Sequence, residues 1–413
     1  MENNLINEAK KCLQCKNPRC SKGCPVNTPI REMISLFLDS KILQAGEMLF
    51  ENNPLSLICS LVCPHEKQCE GSCVLGIKGQ PVNISDIEHY ISDYYINLIT
   101  PSAKREQGKK VAIIGSGPAG ITIAVILASR GYDVTIFEAH DKVGGVLMYG
   151  IPEFRLPKAV LGKLKAKIHE MGIKIRPNTL IGAVLTVDDL FRDGYKAVFI
   201  GTGVWRPRSL GIKGESLGHV HYAIDYLKNP EAYYLGEKIC IIGCGNVAID
   251  VARTAIRNGA RSVTILYRGD AESITAEKRE VEMAKIDGVK FEMNKTPVEF
   301  TDEGILYLDT VTYGDEPDQK TFVPVEGTPK LFRVDSIIVS ISQGPRNYIV
   351  SSTKGIEIDN SGLINTDTNG STTKAGVFAS GDVVTGAKTV VEAVKVSKRV
   401  ADAIDTYIQS LET

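Results

Sequence analysis

Eight of the ten cysteines in this 413-residue chain fall between Cys12 and Cys73. They form two groups, Cys12-x2-Cys15-x4-Cys20-x3-Cys24-Pro25 and Cys59-x3-Cys63-Pro64-x4-Cys69-x3-Cys73. Short spacings let one turn of backbone aim several thiolates at one centre. Runs ending in Cys-Pro, with a last cysteine that serves a second centre, hold four-iron clusters. Two [4Fe-4S] clusters are therefore expected. Zinc and plain structural thiols are the alternatives. Zinc sites are often two CxxC pairs, and here only Cys12 and Cys15 are so spaced. The start, MENNLINEAKK, has no apolar signal segment, so clustered cysteines point to metal rather than disulfides.

Two glycine turns point to nucleotide chemistry. Gly115-Ser116-Gly117-Pro118-Ala119-Gly120 follows the strand VAIIG directly and precedes a helical run; Glu138 ends the next strand, VTIFE. The glycines allow a tight turn and close approach of a pyrophosphate to the helix N-terminus. Glu138 is placed to accept hydrogen bonds from ribose hydroxyls. Strand, glycines, helix and strand-end acid in this order are far more specific than glycines alone. The second turn, Gly243-Cys244-Gly245-Asn246-Val247-Ala248, follows KICIIG and leads to the strand SVTILYR, which ends on Arg268. Alanine at the third glycine position is an allowed variant. This second unit is assigned to a nicotinamide nucleotide. Cys240 and Cys244 are spaced CxxxC and read as packing and loop residues, not a redox pair.

These motifs need elements to hold them. The fold class expected is α/β: two Rossmann-type dinucleotide-binding domains preceded by an α-helical two-cluster domain. The boundaries are 1–108 for the helical domain, 109–205 for the first nucleotide segment, 206–345 for the nicotinamide domain and 346–413 for the returning second segment. PSAKREQG, residues 101–108, reads as a linker. Hydrophobic residues at 43% and charged residues at 23% allow a sizeable core. A formal net charge of −1 gives no nucleic-acid footprint. The most apolar run, Ile121 to Ser129, is too short for a membrane span and reads as a buried helix. A soluble, cytoplasmic chain is expected.

The stretch NNPLSLICSLVCPHEKQCEGSCVLGIKGQPVNISDIEHY resembles the N-terminal domain of dihydropyrimidine dehydrogenase and the large subunit of bifurcating ferredoxin–NADP transhydrogenase. GGVLMYGIPEFRLPK resembles this iron–sulfur flavoprotein family more than the disulfide reductases. The resemblance covers essentially the whole chain. It is nearest in form to the small, electron-input subunit of bacterial NAD-dependent dihydropyrimidine dehydrogenase, with the glutamate synthase small subunit as a relative. It implies that Cys12, Cys15, Cys20 and Cys73 hold one cluster. Cys24, Cys63 and Cys69 would hold the other with Glu88 as fourth ligand, leaving Cys59 without metal. The residue-level alternative for Glu88 is a solvated helix-face carboxylate.

The resemblance also makes the first nucleotide FAD. Gly144 and Gly145 would lie in the flavin loop, and VFIGTG, with Thr202 and Gly203, would close the first FAD segment. Gly381 and Asp382 would meet the ribityl and pyrophosphate region. The helix beginning near Thr389 would face the flavin's pyrimidine edge, aided by Lys388. The implied function is oxidation of NADH or NADPH, with electrons passed from FAD through two clusters to a partner subunit that carries the substrate site. The assembly expected is a hetero-oligomer, and no residue is assigned as a catalytic acid or base. The glutamate synthase form, a bifurcating transhydrogenase subunit and a stand-alone NAD(P)H oxidoreductase are the other readings. The wide Cys63-x5-Cys69 spacing speaks against the first, and the lack of an extra substrate domain against the last. NADPH-using relatives carry a pattern like YRRxxxEMPAR, whereas this chain keeps Arg268 but has Gly269 and Glu277 at the other basic positions. With Asp270 beside them, NADH is the expected donor.

Overall fold

The computed structural model describes residues 2–98, 109–314 and 320–411; the expected linker at 101–108 lies outside them. The chain divides into two units. The first comprises 1–148, 153–204 and 345–413, and the second 149–152 and 205–344.

The first unit begins with six helices: α1 (Glu2–Ala9), α2 (Arg19–Gly23), α3 (Ile30–Leu38), α4 (Ile42–Asn52), α5 (Ser56–Val62) and α6 (Ile84–Leu98). One amphipathic stretch, residues 30–52, supplies both α3 and α4. It breaks at Asp39–Lys41, where Ser40 takes the left-handed φ of 61°. Ile30, Met33, Ile34, Phe37, Leu49, Ile84, Ile87 and Ile91 form the core of this region. The cysteines stand at its rims: Cys12 and Cys15 after α1, Cys20 within α2, Cys24 at its C-cap and Cys63 at the C-cap of α5. The two cysteine segments touch. A Cβ on Gly23 would lie 2.2 Å from Ser72 Oγ and 2.8 Å from the Gln68 carbonyl, so a larger residue would push the segments apart.

The same unit then builds a five-stranded parallel sheet in the order β16-β4-β1-β2-β3. Its strands are β1 (Lys110–Ile114), β2 (Asp133–Phe137), β3 (Lys174–Arg176), β4 (Tyr195–Ile200) and, after the second unit, β16 (Val377–Ala379). Helix α7 (Pro118–Ser129) is buried along most of its length, as its apolar sequence requires. It packs against α16 (Val390–Ser410), the amphipathic C-terminal helix, which also touches α5 and β4. Helices α8 (Val146–Tyr149), α9 (Lys158–Glu170), α10 (Val187–Arg192), α14 (Tyr348–Ser352) and α15 (Asp382–Thr385) also lie along these chain segments.

The second unit repeats the plan. Its parallel sheet runs β6-β14-β7-β8-β9, with β6 (Val220–Tyr222), β7 (Lys238–Ile242), β8 (Ser262–Leu266), β9 (Lys290–Glu292) and β14 (Ser336–Val339). In both sheets the glycine turn leaves the third strand in spatial order. Helices α11 (Ala223–Lys228), α12 (Asn246–Arg257) and α13 (Lys278–Ile286) belong to this unit, as does a short antiparallel pair, β5 (Arg206–Pro207) with β15 (Gln343–Gly344). An antiparallel meander of β10 (Lys295–Thr301), β11 (Gly304–Tyr313), β12 (Thr321–Pro324) and β13 (Lys330–Arg333) is inserted between β9 and β14, with β11 pairing the other three.

Candidate redox site

The cysteines gather into two sets that cut across their sequence order. Cys12, Cys15, Cys20 and Cys73 line one cavity of ≈ 30 Å³. Burial pushes the Cys12 and Cys20 thiols up, and the charge of Cys73 pushes both further. Burial likewise raises Cys24 and Cys69, and each feels the Glu88 carboxylate. Cys63 is raised well above its usual range, first by its hydrogen bond with Cys59, then by burial and the charges of Cys59, Glu88 and Cys69. Glu88 is on the inward face of α6, 7% exposed, and burial lifts it to about 7. Its Oε1 accepts from Ser56 Oγ at 2.8 Å, and Ser56 in turn meets Ser92 Oγ at 2.8 Å. This burial removes the solvated-face alternative for Glu88. Ser56 and Ser92 carry no motif, and sequence reading passed them over.

Cys20 and Cys24 are neighbours on α2 yet face different sets. Among the described residues, no group of three or more His, Cys, Asp or Glu side chains is arranged to hold a metal ion. The first set lines a cavity instead of closing on one point. A cluster core is a body of several atoms, and four thiols around a space suit such a body.

At the first glycine turn the strand-end acid works inside the protein. Glu138 Oε2 accepts from Ser116 N at 2.9 Å and Ser116 Oγ at 2.5 Å, while Oε1 accepts from His140 N at 2.8 Å. Burial opposes its charge, but the bonds from His140 and Ser116 outweigh burial and hold it below the usual carboxylate range. Ser116 Oγ also accepts from Gly144 N at 3.1 Å, which ties the turn to the Gly144–Gly145 loop. Ser116 and His140 were not singled out by their sequence positions. Gly120 is demanded by packing, since its Cβ would lie 2.0 Å from the Gly115 carbonyl. Gly117 is different: a Cβ there meets no protein atom within 4 Å. Its missing side chain leaves room at the N-terminus of α7, opened by Pro118 and Ala119, where a pyrophosphate fits.

Thr202 and Gly203 follow β4 beside this turn, and a Cβ on Gly115 would approach Thr202 Cα to 3.3 Å. Gly381 stands against the start of α7, its added Cβ lying 3.0 Å from Ala119 Cβ. Burial raises Asp382 to about 6, and its Oδ1 accepts from Lys388 N at 3.1 Å. The Lys388 residue is exposed. Thr389 caps α16 reciprocally with Glu392.

At the second turn, a Cβ on Gly243 would lie 2.2 Å from the Ser340 carbonyl, whereas one on Gly245 meets only Thr275 Oγ1 at 3.6 Å. Gly245 is the N-cap of α12, so this helix end is also open to a phosphate. Asn246 Oδ1 accepts from Glu277 N at 2.8 Å, Val247 is half-buried and Ala248 fully buried. The Arg268 guanidinium lies over the Phe322 ring, 5.0 Å from its centroid. Cys240 and Cys244 are free thiols buried in two different apolar clusters, and burial raises both.

Residues 109–397 match the pyridine nucleotide-disulphide oxidoreductase family. The chain belongs to that family. Residues 1–98 match a second family, dihydropyrimidine dehydrogenase domain II, 4Fe-4S cluster. The protein is therefore an oxidoreductase with flavin, pyridine-nucleotide and 4Fe-4S modules. Its relatives include the glutamate synthase [NADPH] small chain of Escherichia coli, 33% identical over 97% of this chain and 91% of that one. The NAD-dependent dihydropyrimidine dehydrogenase subunit PreT of Salmonella typhimurium is also 33% identical, over 98% of this chain and 94% of its own. Equal identity does not choose between the two kinds of complex. FprA from Mycobacterium tuberculosis shares the fold, with a TM-score of 0.64 at 17% identity over 74% of this chain and 86% of its own. Among the described residues, no helix is long and apolar enough to cross a membrane.

Proposed function

We propose that this chain is the electron-input subunit of a hetero-oligomeric oxidoreductase. It oxidises a nicotinamide nucleotide at the second glycine turn and delivers electrons through the N-terminal domain to a partner subunit that carries the substrate site. When bound, FAD accepts two electrons as hydride and releases them singly, and each four-iron cluster passes one electron at a time. Cys12, Cys15, Cys20 and Cys73 would hold one cluster, and Cys24, Cys63, Cys69 and Glu88 the other. A carboxylate ligand is one lever on a cluster's potential. Gly115, Gly117, Gly120 and the Glu138–Ser116 pair would seat the flavin nucleotide's ribose and pyrophosphate. Asp382 would meet the ribityl and pyrophosphate region, and the capped end of α16 would face the flavin's pyrimidine edge. The chain's residues bind, space and tune; none is asked to move a proton.

The observation that carries this reading is the shared unit. The flavin-type turn and both thiol sets lie in one compact body, and α16 touches both α7 of the nucleotide sheet and α5 of the cysteine region. A complex of dihydropyrimidine dehydrogenase type is the form preferred, and NADH the preferred donor. The test uses the pure chain with NADH or NADPH. It should reduce ferricyanide or a viologen, with the higher kcat/KM for NADH, and should neither reduce uracil nor form glutamate. Turnover of either substrate by the single chain would overturn the electron-input reading.

A further inference from the structure

We propose that Phe322, on a strand far in sequence from the nucleotide turns, sets the chain's preference between the two nicotinamide nucleotides. The inference rests on the second unit being the nicotinamide site and deepens the NADH reading given above. Recognition of a 2′-phosphate needs cations just past the second strand of the Rossmann unit. Here that place is occupied by a packed knot. Arg268 follows Tyr267 just past the end of β8, and its guanidinium lies over the ring of Phe322 of β12, 5.0 Å from the centroid. Tyr267 meets the same ring edge-on, with centroids 6.2 Å apart.

Gly269, the next residue, has no backbone reason to be glycine, because it is not among the residues with positive φ. It has a steric one. An added Cβ would lie 2.2 Å from Ser273 Oγ, 2.6 Å from Phe322 Cε1 and 2.8 Å from Tyr267 Cε1. A second basic side chain at 269 would have to displace Ser273 Oγ and the rings of Phe322 and Tyr267. Ser273 Oγ can rotate away at the loss of its bond to the Asp270 carbonyl, 2.8 Å long. The two rings pack on each other, so moving either one opens the knot.

One nearby cation, Lys320, is already engaged. Lys320, two residues before Phe322, is 5% exposed, and its ammonium lies 3.1 Å from Asp270 Oδ1 and 3.7 Å from Glu272 Oε2. Asp270 also caps the following turn through Ser273 N at 2.8 Å. Two carboxylates therefore face one lysine, which leaves its charge already matched within the protein. Phe322 acts through residues 268 and 269, so it is a positioning residue. With it present, Arg268 offers a flat face to an adenine, a role that needs no 2′-phosphate.

The experiment is a double-substitution cycle on the cofactor-loaded full chain: wild type, Gly269→Arg, Phe322→Ala and the pair. NAD+ and NADP+ are titrated by calorimetry without turnover, and Tm is recorded. Gly269→Arg alone should lower Tm and weaken both nucleotides, because the knot must open. In the Phe322→Ala background the same change should tighten NADP+ by about tenfold relative to NAD+, the gain of one charge-assisted contact to the phosphate. If Gly269→Arg alone keeps its Tm and gains NADP+ as fully as the pair, Phe322 is no gate and the proposal fails. Should the arginine variant not fold, Gly269→Ala in both backgrounds replaces it. A Tm loss relieved by Phe322→Ala supports the block, and equal losses refute it. The underlying NADH reading fails separately, if wild type binds NADP+ more tightly than NAD+.

Discussion

The Lys398 ammonium on α16 donates to the Asn52 backbone carbonyl at 2.5 Å and to its side-chain oxygen at 2.9 Å. This bond joins the C-terminal helix of the nucleotide-binding sheet to the end of α4, next to α5 and its cysteines. Burial lowers the lysine's pKa, yet it keeps two acceptors. Lys398→Met should cost about 1–3 kcal/mol, as for a charged group lost from a partly buried pair, and lower Tm by a few degrees. Calorimetry of the cofactor-loaded chain checks it. An unchanged Tm would mean that the bond holds nothing together.

Iron content separates the ligand sets. The intact chain, purified without oxygen, should carry about eight irons, from two four-iron clusters. Cys63→Ala and Glu88→Ala should each retain about four, whereas Cys59→Ala should keep all of them. Cys59 is 4% exposed and packs beside Cys63, so its loss leaves only a small void. A cluster lost from Cys59→Ala but kept in Glu88→Ala would assign the fourth ligand the other way.

Ser116→Ala tests the flavin turn. The hydroxyl donates to Glu138 and accepts from Gly144, so its removal unties the turn from the loop on two sides. FAD affinity should fall about tenfold, the worth of a hydrogen bond to a charged group. Titration of the FAD-stripped protein with FAD measures it, and undiminished affinity would place the nucleotide elsewhere.

The ion network of the second unit gives a pH signature. Asp287 Oδ2 accepts from Arg253 Nε at 2.8 Å and Arg257 Nη1 at 2.5 Å, and Arg253 also bonds Glu280 Oε2 at 2.6 Å. Burial alone would raise Asp287, but the two arginines outweigh it and lower its pKa. A lowered folded pKa stabilises above the unfolded value, about 3.9, and that stability is lost as pH falls through the folded value. Asp287→Asn should therefore destabilise at pH 7 by about 1–3 kcal/mol, the worth of a hydrogen bond to a charged group, because Arg253 keeps Glu280. The difference from wild type should shrink below about pH 4. A difference that stays constant with pH would show that the charge is not what matters.

Much of this protein is legible in local sequence because the determining interactions are local. GSGPAG after VAIIG specifies a strand, a turn and a helix start within a dozen residues, and Glu138 closes the next strand. The break between α3 and α4 falls on the polar triplet Asp39-Ser40-Lys41, inside a stretch that reads as helical throughout, and takes a left-handed Ser40. The grouping of the cysteines is not written in their order: Cys20 and Cys24 are four residues apart, yet Cys20 shares a cavity with Cys73 while Cys24 feels the charge of Glu88. That grouping needs two loops brought together at Gly23 and Ser72 and the inward face of α6 that buries Glu88. Ser56, Ser92, Ser116 and His140 carry no pattern, since a serine or histidine gains its role only from the partner beside it. Local sequence also told which residue stands at 269, but not why. Only the fold brings Phe322 from an inserted strand onto that turn, where it, Tyr267 and Ser273 Oγ leave no room for a Cβ.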